Sequence, residues 1–543
     1  MIQIEKLSYG FPEKDLFQDV TFSLDEGQHC AFIGSNGTGK TTLIDMIMHP
    51  EDYLYDGKII KESNCKIGHV SQFSNTEKNS DISVFDFLSR IFVEAQGEIT
   101  KVCDEMANAD DLTEVYVKYQ ILMDEFQAMD GDNYESNIRK QLKLVGMEKK
   151  ESLSISQLSG GEYKLLQVIK AMLVQPNLLI MDEPDVFLDF ENLNGLCKLI
   201  NSYKGTLLVV THNRYLLNHC FDKILHLENT DIQEFDGSYI EYNFALLQKK
   251  IELTEQAKKD KDEIARNEEI VNRMRTAATN ASIAALGRTL HARETHLERL
   301  RARQIKEPFL ALKMPQIQLP EVEVEPDKIM LSVWDYEVAF DELLLSDVCF
   351  ELHGNEKVAI VGANGTGKTT LLRDIYKKHH PSITIGEDVK VEFLSQTYDE
   401  KEKSTLSGGE QNLTQIQRIC QSDANLLLLD EPTSHLDTYT QIALEKAIRE
   451  YRGAVLMVSH DFYNIVNCAD YILYVDDKSV RRMRIRSFRK LVYETHFDKE
   501  YLELEQKKQE LEMRIEKALK DSDVKTAKEL CEQLGEIVEK LVV

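Results

Sequence analysis

Four short blocks of this 543-residue sequence occur twice, in the same order. GSNGTGKTT at 34–42 returns as GANGTGKTT at 362–370, and LSGGE at 158–162 returns at 406–410. LLIMDEP at 178–184 returns as LLLLDEP at 426–432, and VVTHNRY at 209–215 returns as MVSHDFY at 457–463. Ordered self-similarity of this kind restricts the chain to two copies of one domain, spanning about 1–242 and 328–480. The copies are unequal. Between Gln72 and Leu158 lie 85 residues, with helical, charged sequence over about 76–150, whereas between Gln396 and Leu406 lie nine.

Residues 243–327 have a different character. No glycine occurs between Gly237 and Gly287 and no proline between Pro184 and Pro308. Residues 244–275 are rich in Lys, Glu, Gln, Ala and Leu, which predicts a long helix. Small and polar residues fill 276–287, an Arg-rich helix follows over 288–306, and Pro308, Pro315, Pro320 and Pro326 mark an extended return. The expectation is a helical hairpin with its tip near 276–288. Residues 481–543 form a C-terminal extension: a basic strand, then two charged helices over about 497–541 that break near Asp521–Asp523.

The repeated blocks carry chemistry. G-x-x-x-x-G-K-T follows an apolar strand in both copies (CAFIG at 30–34, VAIVG at 358–362) and leads into helical sequence. Glycines let backbone N–H groups turn onto phosphates, and the helix N-terminus adds its dipole. Gly34, Asn36, Gly37, Gly39 and Thr42, with Gly362, Asn364, Gly365, Gly367 and Thr370, build these loops. Lys40 and Lys368 are expected on the β- and γ-phosphates, and Thr41 and Thr369 on Mg²⁺. Asp182 and Asp430 end apolar strands, where a metal ion balances an otherwise costly carboxylate. Glu183 and Glu431 come next and can act on an attacking water, or can be ordinary helix-start acids beside Pro184 and Pro432. His212 and His460 each stand 29 residues past those glutamates, placed to sense a γ-phosphate. Gln72 and Gln396 end VSQ and LSQ segments and are the expected metal- and water-contacting glutamines.

A net charge of −28 argues against nonspecific nucleic-acid coating, because phosphate binding needs cations, but a local basic patch can act against that background. No apolar run approaches the roughly 18–20 residues of a membrane helix. Nine scattered cysteines without a C-x-x-C pair read as reduced core thiols, and the expected location is the cytoplasm.

LSGGE, a serine and two glycines opening a helix, is a second anion-binding cap that must serve another nucleotide. With it the sequence resembles the ATP-binding-cassette superfamily over nearly all of both copies. The resemblance implies an α/β fold: two P-loop NTPase domains in tandem, joined by a long helical hairpin linker, with a helical C-terminal tail. It implies ATP and Mg²⁺ as cofactors and a head-to-tail meeting of the two cassettes within a monomer. Lys40, Gln72, Asp182, Glu183 and His212 would then face Ser407, Gly408 and Gly409, while Lys368, Gln396, Asp430, Glu431 and His460 face Ser159, Gly160 and Gly161. Phe11 and Phe340 fall where the family stacks adenine on an aromatic ring, with a core Phe as the alternative and Tyr9 a rival for the first.

Tandem cassettes around a helical linker are similar to the ABC-F family. That resemblance implies an ATPase that binds the ribosomal E site, its hairpin reaching P-site tRNA and the peptidyl-transferase centre, as a translation factor or an antibiotic ribosome protection protein. FQAMDGD at 126–132 resembles the family's arm region. From Arg273 to Lys306 eight Lys/Arg stand against two Glu, so Arg273, Arg275, Arg288 and Arg293 are candidate RNA contacts, or a solvated helix face. VRRMRIRSFRK at 480–490 is a second basic patch, or a plain surface strand. DEPTSHLD at 430–437 matches the family's motif closely, whereas DEPDVFLD at 182–189 loses its Thr and His at the dimer interface, so unequal hydrolysis at the two sites is expected. The alternatives are an ATPase subunit working with separate membrane proteins, and a cassette protein acting on DNA.

Overall fold

The computed structural model describes residues 1–12, 14–62, 65–71, 78, 80–108, 112–186, 188–280, 291, 293–299, 317–340, 343–378, 380–395, 408–476, 478–493, 499–521 and 523–542. The chain divides into two bodies: 1–238 with 315–493, and 239–314 with 494–543.

The first body holds both copies. In the first copy, β1 (Ile2–Phe11) and β2 (Lys14–Leu24) are followed by β3 (His29–Gly34), α1 (Lys40–Met48), β4 (Asp56–Lys61) and β5 (Ile67–Val70). The insertion supplies α2 (Val84–Asn108), α3 (Thr113–Ala128) and α4 (Tyr134–Leu144). Then come α5 (Gly160–Leu173), β6 (Leu178–Asp182), α6 (Phe190–Ser202), β7 (Thr206–Val210), α7 (Arg214–His219), β8 (Lys223–Glu228) and β9 (Asp231–Asp236). Helix α8 (Tyr239–Asn280) opens the second body.

The second copy repeats the plan: β10 (Ile329–Ala339), β11 (Leu343–His353), β12 (Lys357–Val361), α9 (Lys368–Lys377), β13 (Ile383–Ile385) and β14 (Val391–Leu394). It continues through α10 (Gly408–Cys420), β15 (Leu426–Asp430), α11 (Thr438–Glu450), β16 (Ala454–Val458), α12 (Phe462–Cys468), β17 (Tyr471–Asp476), β18 (Ser479–Arg484) and α13 (Ile485–Tyr493). The tail gives α14 (Lys499–Lys520) and α15 (Val524–Val542).

Each copy pairs a six-stranded sheet with a three-stranded antiparallel one. The large sheets run β5-β6-β7-β3-β8-β9 and β14-β15-β16-β12-β17-β18; the small ones β2-β1-β4 and β11-β10-β13. The central strands β6, β7, β15 and β16 are buried on every residue and consist almost wholly of Leu, Ile, Met and Val, as a parallel sheet covered on both faces requires. The phosphate loop leaves the C-terminal end of the central strand β3 or β12, where open parallel sheets place ligands.

In the second body, residues 240, 244, 247 and 251 of α8 share a core with Leu511 and Ile515 of α14 and with Leu530, Leu534, Val538 and Leu541 of α15. Gly535 lets the Phe244 ring approach, since a Cβ there would stand 3.1 Å from Cζ. The tail is therefore packed against the start of the linker. Near the hairpin tip, Arg275 joins Glu294 at 2.6 Å across the two arms, and 281–290 lie outside the described residues.

Two local expectations are corrected. Residues 480–490 are strand only to Arg484; Ile485, Phe488 and Leu491 then recur at helical spacing and turn the segment into α13, burying Phe488. The cysteines are all free but not all core: Cys103 and Cys349 are exposed.

Candidate nucleotide sites

Both loops turn through left-handed glycines, Gly39 (φ 105°) and Gly367 (φ 88°), a backbone region where a Cβ is strained. That turn aims the N-termini of α1 and α9 across the loop. Lys40 Nζ donates to the carbonyls of Gly34 (2.8 Å) and Ser35 (2.9 Å), and Lys368 Nζ to those of Gly362 (2.9 Å) and Ala363 (2.6 Å). The lysines were expected on phosphates; here each ammonium curls onto its own loop, whose carbonyls satisfy its donors. Burial lowers the pKa of both.

The sites expected to hold Mg²⁺ are assembled. Thr41 Oγ1 lies 3.2 Å from Asp182 Oδ2, and Thr369 Oγ1 lies 3.1 Å from Asp430 Oδ1. Among the described residues no cluster of three His, Cys, Asp or Glu could hold a metal; each site brings together one hydroxyl and one carboxylate. That suits Mg²⁺, which keeps waters and phosphate oxygens in its shell. Asp430 Oδ2 is buried without a hydrogen-bond partner, as a lone pair kept for a cation would be. Burial, with Glu183 alongside, pushes Asp182 up to about 6, a further sign that a cation belongs there. When bound, Mg²⁺ would neutralise charge on the β- and γ-phosphates.

Glu183 and Glu431 follow with φ of 46° and 50°, strained for non-glycine residues and located where the chemistry lies. Their surroundings differ. Glu431 lies with Oε1 3.6 Å from Nε2 of its own His460 and accepts the His460 backbone N–H at 3.2 Å; burial and Asp430 push it up to about 8. Glu183 lies 3.6 Å from Nδ1 of His435, a residue of the other copy. Burial raises Glu183, but the hydrogen bond from His435 leads the contacts that outweigh it, and the carboxyl falls below its usual range. Burial also holds His212 near 4 and His460 near 3, neutral at pH 7. Atoms His212 Nε2 and His460 Nδ1 are buried without a hydrogen-bond partner, capable of meeting a phosphate.

The two copies meet head to tail. A cavity of about 420 Å³ is lined on one side by Asn364, Gly365, Lys368, Thr369 and Thr370, and on the other by Gly160 and Gly161. Ser159 caps α5 in a reciprocal box with Glu162, fixing the glycine N–H groups at the helix start. On the opposite side Gly409 packs against Asn36, where a Cβ would stand 2.4 Å from Nδ2. Asp189 and Asp437, unremarked in the sequence reading, clamp the arrangement. One oxygen of each caps its own helix, α6 or α11. The other accepts the backbone N–H of Asn364 or Asn36 in the opposing copy, at 3.2 Å each. The signal for them was visible: an Asp seven residues after Asp182 and again after Asp430.

Other expected residues fare unevenly. Phe11 and Phe340 are 53% and 72% exposed, so neither is a core phenylalanine; Tyr9 packs edge-on against Phe11 and Tyr53. Thr42 is half-buried beside Thr41, and Gly408 begins α10. Gln72, Gln396, Ser407 and Arg288 lie outside the described residues. Arg293 is exposed. Arg273 pairs with Glu269 one turn away and Arg275 with Glu294 across the hairpin, so the positive excess counted along the sequence is partly compensated.

A family model described as ABC transporter matches residues 17–186, 345–392 and 382–434. The chain is 28% identical to the ATP-binding protein YdiF of Bacillus subtilis, covering 97% of this chain and 88% of that one. It is 26% identical to the energy-dependent translational throttle protein EttA of Haemophilus influenzae, over 86% and 90% of the two chains. Identity is again 26% to ABC transporter F family member 2 of Arabidopsis thaliana, over 88% and 76%. A solved structure titled as a model of ribosome-bound archaeal Pelota and ABCE1 matches with a TM-score of 0.54 at 15% identity, covering 91% of this chain and 80% of that one; at such identity the likeness speaks for the fold. Paired cassettes that complete each other's nucleotide sites define an ATP-binding-cassette ATPase, and the chain is one. Among the relatives it resembles are EttA and ABC transporter F family member 2, and like a tandem-cassette protein it carries both cassettes in one polypeptide.

Proposed function

We propose that this chain is a cytoplasmic ATPase that binds the ribosomal E site with its cassettes closed on ATP, acts through the interdomain hairpin on P-site tRNA near the peptidyl-transferase centre, and leaves on hydrolysis. The observation that carries the reading is the closed pair of cassettes flanking, in sequence, a linker that begins with a 42-residue helix. ATP makes contacts on both cassettes, so its γ-phosphate biases the closed state and its loss releases that bias. The relative EttA is named as an energy-dependent translational throttle, which supports translation as the process served. No described helix is long and apolar enough to cross a membrane, and the second cassette has only nine residues where the first has its helical insertion, which disfavours symmetric coupling to membrane partners.

Contact with rRNA is served best by the edge formed by β18 and α13. Arg481, Arg482, Arg484, Arg486 and Lys490 are exposed there, with no acid from 479 to 493. Arg482 lies over the Tyr471 ring at 3.6 Å, which fixes its direction. The matching edge of the first cassette, β9, carries Asp231, Glu234 and Asp236 instead. Whether the tRNA contact serves general translation or drug removal is a matter for drug-susceptibility testing on expression.

Glu183→Gln combined with Glu431→Gln is expected to trap the protein on ribosomes in ATP and to halt translation. Failure to pellet with ribosomes under those conditions refutes the reading.

A further inference from the structure

We propose that His435 is a positioning residue that works across the cassette interface, setting the carboxylate of Glu183 for hydrolysis at the Lys40 site and leaving the Lys368 site without an equivalent. The inference concerns the ATPase alone and is independent of the ribosome.

Three observations carry it. First, His435 Nδ1 lies 3.6 Å from Glu183 Oε2, although the two residues belong to different cassettes. Second, His435 is fastened to the loop it serves. Its carbonyl accepts from Asn36 Nδ2 at 2.7 Å, and Asp437, two residues on, accepts the Asn36 backbone N–H at 3.2 Å. Its own backbone is left-handed (φ 60°), a strained state that surrounding contacts must hold. His435 therefore reaches Glu183 through contacts that exist only when the second cassette is docked on the loop of the first. Third, the arrangement is not repeated. Five residues after Asp430 comes His435; five after Asp182 comes Phe187, which has no side-chain donor. Glu431 instead rests against its own His460, in the same cassette.

The chemistry needs such a device. In hydrolysis the water oxygen bonds to the γ-phosphorus, the bond to the ADP oxygen breaks, and the water proton passes to the carboxylate. A carboxylate about 1 Å out of place costs on the order of 100-fold in rate. Tying its position to a residue of the opposite cassette makes hydrolysis at the Lys40 site conditional on closure.

The test uses the full chain in a Glu431→Gln background, so that phosphate released in a single turnover comes from the Lys40 site. His435→Ala is expected to slow that turnover by about 10- to 100-fold. Half-saturating ATP should stay within about twofold, as should ATP-driven closure read by energy transfer between dyes on the two cassettes. His435→Gln, which keeps an N–H donor, should recover most of the rate. Unchanged turnover in His435→Ala overturns the inference. So does a joint loss of rate, ATP affinity and closure, which would mean that the segment merely anchors the interface.

Discussion

Glu183 and Glu431 hold the same position in two copies of one motif, yet their carboxyls are driven in opposite directions. Both are buried, and burial disfavours the charged form. The difference is the partner: His435 of the opposite cassette faces Glu183, whereas Glu431 rests against the neutral His460 of its own cassette. For Glu431 the folded pKa of about 8 exceeds the ordinary 4.5. The unfolded chain thus gives up this proton near pH 4.5 while the nucleotide-free fold keeps it to about 8, and stability drains away across that window as pH rises. Glu431→Gln cannot ionise. Its melting temperature without nucleotide should match the parent near pH 4.5 and exceed it by a margin that grows up to about pH 8 and levels off above it. A constant offset across that range would show that Glu431 is already ionised in the fold.

At the scale of elements, the C-terminal helices gain definition through long-range contact. Their apolar positions, 524, 527, 530, 534, 538 and 541 on α15, recur at helical spacing among charged residues, and the two-helix reading with its break near Asp521–Asp523 matches α14 and α15. Sequence could not say what covers that stripe, because the partner, α8, lies more than 240 residues upstream and periodicity carries no address. The same holds for the cassettes. Strands such as β7 and β15 were legible from Leu207–Val210 and Leu426–Leu429, and the phosphate loops from their glycines. Asp189 and Asp437 recur at a fixed offset in the repeats, but the opposing atoms that they and His435 meet are set by docking one copy against the other. The helical half of 480–490 was hidden by arginines that mask the spacing of Ile485, Phe488 and Leu491. Leu534 is fully buried in the second body, so Leu534→Ala should cost that body about 2–5 kcal/mol. Limited trypsin digestion is expected to cut within 499–542 sooner in this variant while ATP hydrolysis persists. Equal resistance of the two proteins would mean that the bundle does not depend on this core.

For the cassette pair as a whole, the two flanks of the interface are secured by different physics. On one flank Arg214 of the first cassette bonds to Glu445 of the second, lies 3.4 Å from Asp461 and stacks over Tyr463 at 4.6 Å. Asn467 adds a hydrogen bond to Glu445 at 2.9 Å, and the Glu445 side chain is 4% exposed. Aligning the repeats puts Phe462 at the place of Arg214 and Cys197 at the place of Glu445, so the opposite flank has no such charge pair. There Phe190, Phe462 and Phe488 pack together, with centroids 5.4 and 6.1 Å apart. Removing one member of a buried pair strands the other, at about 3–5 kcal/mol, whereas opening the interface lets both regain water. Arg214→Ala should therefore raise the ATP needed for half-maximal closure by at least about tenfold, while Arg214→Lys, lacking the planar fork, falls between. Burial also shields the pair from ions, so closure of the parent, read by energy transfer between the cassettes, should change little between low and physiological salt. If Arg214→Ala closes at the same ATP concentration as the parent, the ionic flank contributes nothing, and the aromatic flank with the two aspartate clamps must hold the pair alone.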